Sequence, residues 1–183
     1  RLHITGVSTK KGIELISQAK KEGLHLTCSV TPYHSWFCDE DLSSYDTNLK
    51  VNPPLRTRED MMAVRQALQN GIIDCIASHH MPQHWDDKTC EFEYAQNGMI
   101  GLESFFGVVN SFKRNIDELV EQITVAPRNI FGIPLPEIKE GSHACITLFN
   151  PFLKYIFEET MIKKKKKNSP FIGKNLKGKA IGI

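Results

Sequence analysis

Gly71-Ile72-Ile73-Asp74-Cys75-Ile76-Ala77-Ser78-His79-His80-Met81-Pro82-Gln83-His84 is the stretch that decides how this chain is read. Its first half is a short, mostly apolar strand. Its second half is a loop crowded with imidazoles. A buried strand running into reactive side chains points to an α/β fold, in which the loops after strand C-termini carry the chemistry. Strand alternation puts Ile73, Cys75, Ala77 and His79 on one face and Asp74, Ile76, Ser78 and His80 on the other. With the Cys75/Ala77 face turned inward, His79 stands at the mouth of the sheet and His80 points away. Taken alone, the pair also fits two surface histidines in a turn ahead of Pro82.

Outward from this stretch, strands and helices alternate. Immediately upstream, Thr57 caps a helix with Asp60 at the capping-box position. Met61, Met62, Val64 and Leu68 give that helix its apolar face, and Gly71 ends it. Before it, Leu49-Lys50-Val51 reads as a short extended piece, and Asn52-Pro53-Pro54 excludes helix at its exit. Leu24 to Thr31 is a strand closed by Pro32-Tyr33-His34. Arg1 to Val7 is another, followed by a Ser8-Thr9 cap and a helical stripe of Ile13, Leu15, Ile16 and Ala19 that stops at Gly23. The order predicts four parallel strands near residues 1–7, 24–31, 49–52 and 72–78, with His34 and His79 at the same end. Leu2, Ile4, Ile73 and Cys75 are expected to form an apolar inner face. Downstream, a Gly-containing loop over 91–101 leads to helices over 102–112 and 116–124 and a short one from Pro127 to Phe131. From Pro134 the texture changes. Gly141 to Phe149 reads as a hairpin arm and Gly178 to Ile183 as a last strand, with a domain boundary near Ile133.

The 183 residues suffice for one ordinary core, and 40% hydrophobic with 24% charged residues is globular composition. A net charge of +2 gives little attraction to nucleic acid. The run Lys163 to Lys167 lacks Arg and aromatic partners and reads as a solvated turn. The five cysteines (Cys28, Cys38, Cys75, Cys90 and Cys145) are odd in number without CxxC spacing, so neither a disulfide framework nor a zinc knuckle is indicated. With no signal peptide and no long apolar span, the reading is a cytoplasmic protein that engages neither membrane nor nucleic acid. The chain opens at Arg1 inside a strand pattern, which reads as a piece of a longer protein. Its open sheet edges and apolar inner face would make it self-associate when isolated.

Several motifs fall in one order: Val7-Ser8-Thr9-Lys10 after a strand, Val30-Thr31-Pro32-Tyr33-His34, Asn52-Pro53-Pro54-Leu55-Arg56, Ile76 to Gln83, then Gly98-Met99-Ile100-Gly101-Leu102-Glu103. Phe131-Gly132-Ile133-Pro134, Glu140-Gly141 and Leu148-Phe149-Asn150-Pro151 follow. This series resembles the dihydroorotase family of the amidohydrolase superfamily. The resemblance implies the C-terminal half of a TIM (β/α)8 barrel over 1–133, with strands five to eight, and the closing part of a small β-domain over 134–183. It implies a zinc-dependent hydrolase of cyclic amides that interconverts dihydroorotate and carbamoyl aspartate in pyrimidine biosynthesis. In that chemistry the metal activates a water and an aspartate handles its proton. The missing N-terminal half would supply the other metal ligands.

Carried over position by position, the pattern is altered. The strand-five metal histidine of the family falls at Gly6, which has no side chain, and His3 lies on the opposite face of that strand. The strand-six ligand is His34, preceded by Tyr33 where the family often has His. The catalytic aspartate falls at His79 and a substrate-contacting histidine at Gln83. His80 matches a family histidine, and the substrate contacts Asn52 and Gly98 are retained. Two positions often occupied by aspartate are His143 and Cys145. A neutral imidazole cannot hold a metal and accept a proton through one nitrogen, and catalytic zinc normally keeps three protein ligands. The expectation is therefore a noncatalytic homologue, an oligomeric scaffold or partner of aspartate transcarbamoylase. The alternatives are an active dihydroorotase, and altered cyclic-amide chemistry on a rearranged His34/His79/His84 site.

Overall fold

Three short parallel strands carry the site: β1 (Leu2–Ile4), β2 (Leu26–Val30) and β3 (Cys75–Ile76), in the order β1-β2-β3. The computed structural model describes residues 1–112, 115–144, 146–163 and 165–182, so Cys145, Lys164 and Ile183 lie outside the described residues. Pairing continues past the strand ends, where Val7 N donates to Ser29 O (3.0 Å) and Ala77 N to Val30 O (2.9 Å). Helix α1 (Lys10–Lys21) starts where Thr9 Oγ1 accepts from Gly12 N (3.1 Å). Helix α2 (Arg58–Gln69) starts where Thr57 Oγ1 accepts from Asp60 N. Asp60 does not close a capping box. Its carboxylate accepts from the Thr57 hydroxyl and from Lys10 N (2.7 Å), which ties the starts of α1 and α2 together.

The expected strand at 49–52 is absent. Thr47–Leu49 is a single 3-10 turn, with Lys50 N donating back to Thr47 O, and β2 pairs directly with β3. The Asn52–Pro53 peptide is cis, and prolines 53 and 54 have no N–H to offer a ladder. Downstream, α3 (Phe105–Phe112) begins three residues later than expected. The segments expected as separate helices join into one: α4 (Ile116–Val120), a π turn over Glu121–Val125, and α5 (Ala126–Phe131). Pro127 explains the π turn, because its ring would clash with a carbonyl one regular turn back and the wider turn relieves that clash. In the C-terminal part, β4 (Leu148–Ile156) pairs antiparallel with β5 (Asn175–Gly182). The arm therefore runs through Ile156, not back to Gly141, and its register slips between Asn150 and Lys154, around Pro151.

The sheet faces differ from expectation. Ile4, Leu26, Cys28, Val30 and Ile76 face the helices and join Ile13, Ile16, Val64 and Leu68 in one core. The opposite, inner face of β1 and β2 is polar, with His3 level with Thr27 and followed by Thr5 and Ser29. Leu2 is 58% exposed, and Ile73 sits before β3 in the helix-side core, where alternation has not begun. Of the four expected inner-face residues, Cys75 alone stands level with Ser29, and it is buried. A second core joins Tyr33, Phe37 and Val51 to Met99 and Ile100, and both sets to Phe157, Phe171 and Leu176. The C-terminal residues thus complete the core beneath the site.

Asp74 anchors the start of β3. Its Oδ2 accepts from Lys20 Nζ and from Cys28 N, each at 2.7 Å, and Lys20 also donates to Ile72 O.

Candidate functional site

The C-terminal ends of the three strands converge, and the structure brings His34 and His79 to that shared end. Each chain exit is set locally. After β2, Pro32 starts a 3-10 turn over Tyr33–Ser35, and the Thr31 hydroxyl accepts from His34 N (3.2 Å). That turn buries Tyr33 and His34.

His34 is fully committed to the protein. Its Nε2 lies 2.9 Å from Pro53 O, which can only accept, so Nε2 carries the proton. Nδ1 is then the acceptor for the Thr31 hydroxyl at 2.8 Å. Burial pushes the imidazole pKa down to about 4, with the Pro53 carbonyl opposing that shift. The ring is neutral at pH 7 and has no lone pair free for a metal. Tyr33, from the same turn, points its hydroxyl toward His79 instead (3.4 Å to Nδ1).

His79 follows β3 with φ of 43°, a left-handed conformation uncommon outside glycine. This turn takes it out of simple strand alternation. Its Nε2 lies 2.9 Å from Thr5 Oγ1, and burial lowers its pKa. Beneath it, Gly6 has φ of 70°, and a Cβ there would lie 3.2 Å from both His79 Cε1 and Pro53 Cδ. His80 serves the neighbouring loop, where its Nδ1 accepts from Gly101 N (3.1 Å) and Leu102 N (3.3 Å).

The loop over 98–102 is locked onto the 81–83 segment. Met81 N donates to Met99 O, and Gly98 N donates to Lys50 O, both at 2.9 Å. Gly98 has φ of 123°, and a Cβ there would sit 2.7 Å from Met81 O, so only glycine fits. Gln83 Nε2 donates to Asn97 O (2.7 Å), which makes its side chain a brace between loops. Asn52 is exposed, on the exit that also carries the Pro53 carbonyl. His84 and His143 are exposed too.

Sequence reasoning missed Asn168. Its Oδ1 accepts from Gln83 N (3.0 Å), its Nδ2 donates to Gly98 O (3.2 Å), and its backbone O accepts from Ile100 N (2.9 Å). Asn168-Ser169-Pro170 reads only as a turn signal, and nothing local foretells partners 70 and 85 residues away. The lysine run before it is not simply solvated: Lys166 Nζ donates to Pro82 O and Lys167 Nζ to Ile162 O.

The donors this chain supplies do not by themselves make a zinc site. Position 6 offers no side chain, both His34 nitrogens are engaged, and His79 Nε2 is held by Thr5. Among the described residues, no three His, Cys, Asp or Glu side chains come together in a set that could hold a metal ion, and this covers His84 as well.

No family model matches the chain. It is similar to the dihydroorotase of Thermoanaerobacter sp. (strain X514), 44% identical over 97% of this chain and 42% of the relative. It is also similar to the dihydroorotase of Syntrophus aciditrophicus, 39% identical over 98% of this chain and 43% of that relative. The chain thus spans less than half the length of these relatives. Among solved structures, the L-hydantoinase (dihydropyrimidinase) from Arthrobacter aurescens superposes with a TM-score of 0.90 at 27% identity, over 99% of this chain and 42% of that one. The inactive dihydroorotase-like domain of the Chaetomium thermophilum CAD-like multifunctional protein gives 0.66 at 23% identity, over 97% of this chain and 47% of that one, a likeness of fold. Among the described residues no helix is long and apolar enough to cross a membrane. Ordered motifs, a parallel α/β sheet with its loops at one end, and these relatives agree: the chain belongs to the dihydroorotase family of amidohydrolases.

Proposed function

We propose that the protein carrying this chain is a noncatalytic dihydroorotase homologue of pyrimidine biosynthesis, one that keeps the amidohydrolase fold and acts as scaffold or partner of aspartate transcarbamoylase. The observation that carries this reading is the state of His79. It stands where the family resemblance implies the proton-handling aspartate, yet its Nε2 is 2.9 Å from the Thr5 hydroxyl. A general base needs a free lone pair facing the water it activates. His34 offers none either, with Thr31 and Pro53 on its two nitrogens. The inactive Chaetomium thermophilum domain shares this fold, so the architecture persists in a protein without activity. In this reading residues 1–133 supply the second half of the barrel and 134–183 the closing part of the small β-domain. The protein is cytoplasmic, a setting supported by the free Cys28, Cys38, Cys75 and Cys90.

The test is metal analysis of the full-length protein beside an assay of dihydroorotate hydrolysis, with sedimentation of the protein mixed with aspartate transcarbamoylase. We expect substoichiometric zinc, no turnover above buffer and co-sedimentation. Robust turnover would instead establish an active zinc-dependent dihydroorotase, the reading favoured by 44% identity to a protein of that name. Turnover would then require ligands from outside this chain and a free nitrogen on His34.

A further inference from the structure

The inner face carries an unbroken run of hydrogen-bonded side chains. Thr27 Oγ1 is 2.8 Å from His3 Nδ1, and His3 Nε2 is 3.2 Å from Ser29 Oγ. Ser29 Oγ donates to Thr5 Oγ1 at 3.0 Å, and Thr5 Oγ1 is 2.9 Å from His79 Nε2. His79 Nδ1 then faces the Tyr33 hydroxyl at 3.4 Å.

Each hydroxyl has one proton to give, and that sets the direction of the run from Thr27 as far as Thr5. Ser29 gives its proton to Thr5, so Ser29 must accept from His3, and His3 carries its proton on Nε2. Its Nδ1 is then the acceptor for the Thr27 hydroxyl. Thr5 accepts from Ser29 and has its own proton and a second lone pair left; giving that proton to His79 Nε2 continues the run in the same direction. His79 then holds its proton on Nδ1, directed at Tyr33. All the donors point the same way, and every member is neutral.

Gly6 makes the last link possible. The His79 ring reaches Thr5 by lying against β1, and its Cε1 comes within 3.2 Å of where a Cβ at position 6 would stand. That is tighter than ordinary van der Waals contact. A Cβ at position 6 makes the ring, or Pro53 on its other side, give by a few tenths of an ångström, which strains the link to Thr5.

We propose that Gly6 and His79 are one matched replacement, in which an imidazole laid over a glycine closes the strand ends through a one-way hydrogen-bond chain to His3. The two positions that depart from the family pattern are then one rearrangement and not two separate losses. Thr5 is the positioning residue that holds the His79 ring. The proposal deepens the metal-free reading of the site, and zinc measured on the same preparations separates the failure of one from the failure of the other.

The experiment is a double-mutant cycle in the full-length protein, read by thermal melting. The variants are Gly6→Ala, His79→Ala and their combination. Backbone strain at the positive φ of residue 6 is present in both backgrounds and cancels, so the cycle isolates the contact with the ring. We expect Gly6→Ala to lower Tm by about 1–2 °C more in the wild-type background than with His79→Ala. In parallel, nitrogen-15 NMR of the imidazoles reads the tautomers. We expect Nε2–H on His3 and Nδ1–H on His79. Thr5→Val should collapse the His79 preference, and Thr5→Ser should restore it. Additive Tm losses, or a His79 proton on Nε2, would overturn the proposal whatever the zinc content.

Discussion

Asn168→Ala gives the sharpest test of how the loops over the site are held. The side chain spans two loops, accepting from Gln83 N at 3.0 Å and donating to Gly98 O at 3.2 Å, and the residue is 8% exposed. Truncation removes both bonds and leaves a main-chain N–H and a carbonyl short of their partners. A net hydrogen bond contributes about 0.5–1.5 kcal/mol, and each buried group left unsatisfied costs about 1–3 kcal/mol. Allowing for water reaching one of the two groups, the loss is about 2–4 kcal/mol. The backbone bond from Ile100 N to Asn168 O survives, as does Gly98 N to Lys50 O. The effect should therefore be local as well as global. Urea denaturation of the full-length protein measures the first. Amide hydrogen exchange measures the second, with Gln83 N exchanging faster and Gly98 N nearly unchanged. A loss below about 0.5 kcal/mol with Gln83 exchange unaltered would refute the clamp.

Three further outcomes are expected. Gly98→Ala should cost more than about 2 kcal/mol, because its Cβ would stand 2.7 Å from Met81 O at a φ of 123°; the melting temperature reads this. Asp74→Asn should destabilise by about 1–2 kcal/mol in denaturant titration, since it removes the negative charge from the oxygen shared by Lys20 Nζ and Cys28 N; the pair's partial exposure keeps the figure modest. His34 predicts a pH dependence. Burial lowers its folded pKa from 6.5 to about 4, so the unfolded chain binds the extra proton first as pH falls. Its contribution is present above pH 6.5 and is lost between there and about pH 4, at most about 3 kcal/mol. His34→Gln should flatten that part of the stability–pH curve, and an unchanged slope would show that the ring titrates normally.

The strand-helix alternation and the meeting of His34 with His79 were legible in the sequence because both follow from local pattern: a Thr9 cap, a Thr57 cap, and apolar runs ending in turns. The segment 49–52 reads as a strand because the alternation Leu49-Lys50-Val51 ahead of Asn52 and two prolines fits an extended pattern as well as the exit from a 3-10 turn. The inner face was misassigned for a related reason. Periodicity shows that Leu2 and Ile4 alternate with His3 and Thr5, but not which set meets the helices, and that is settled only by the partner register Ile4 to Cys28. The π turn could have been suspected from Pro127 inside a helical run. Asn168 and the chain from Thr27 to His79 could not, since their partners lie tens of residues apart and hydroxyl side chains carry no periodic signal.

The second core has a temporal consequence. Its aromatic contacts pair Phe37 with Phe171 at 5.0 Å and Trp36 with Phe171 at 5.8 Å, residues far apart in the sequence. The helix-side core needs nothing beyond Leu119 among its fully buried members, so it can consolidate while the ribosome is still extending the chain. The layer under His34 and Met99 has to wait. Until Phe157, Phe171 and Leu176 emerge, Tyr33, Phe37 and Val51 have only the earlier members such as Met99 and Ile100 against them and stay partly open to water, and closing so long a loop is slow. The nascent chain therefore passes through a window in which its site end is open and greasy, and that window is where a chaperone would find it.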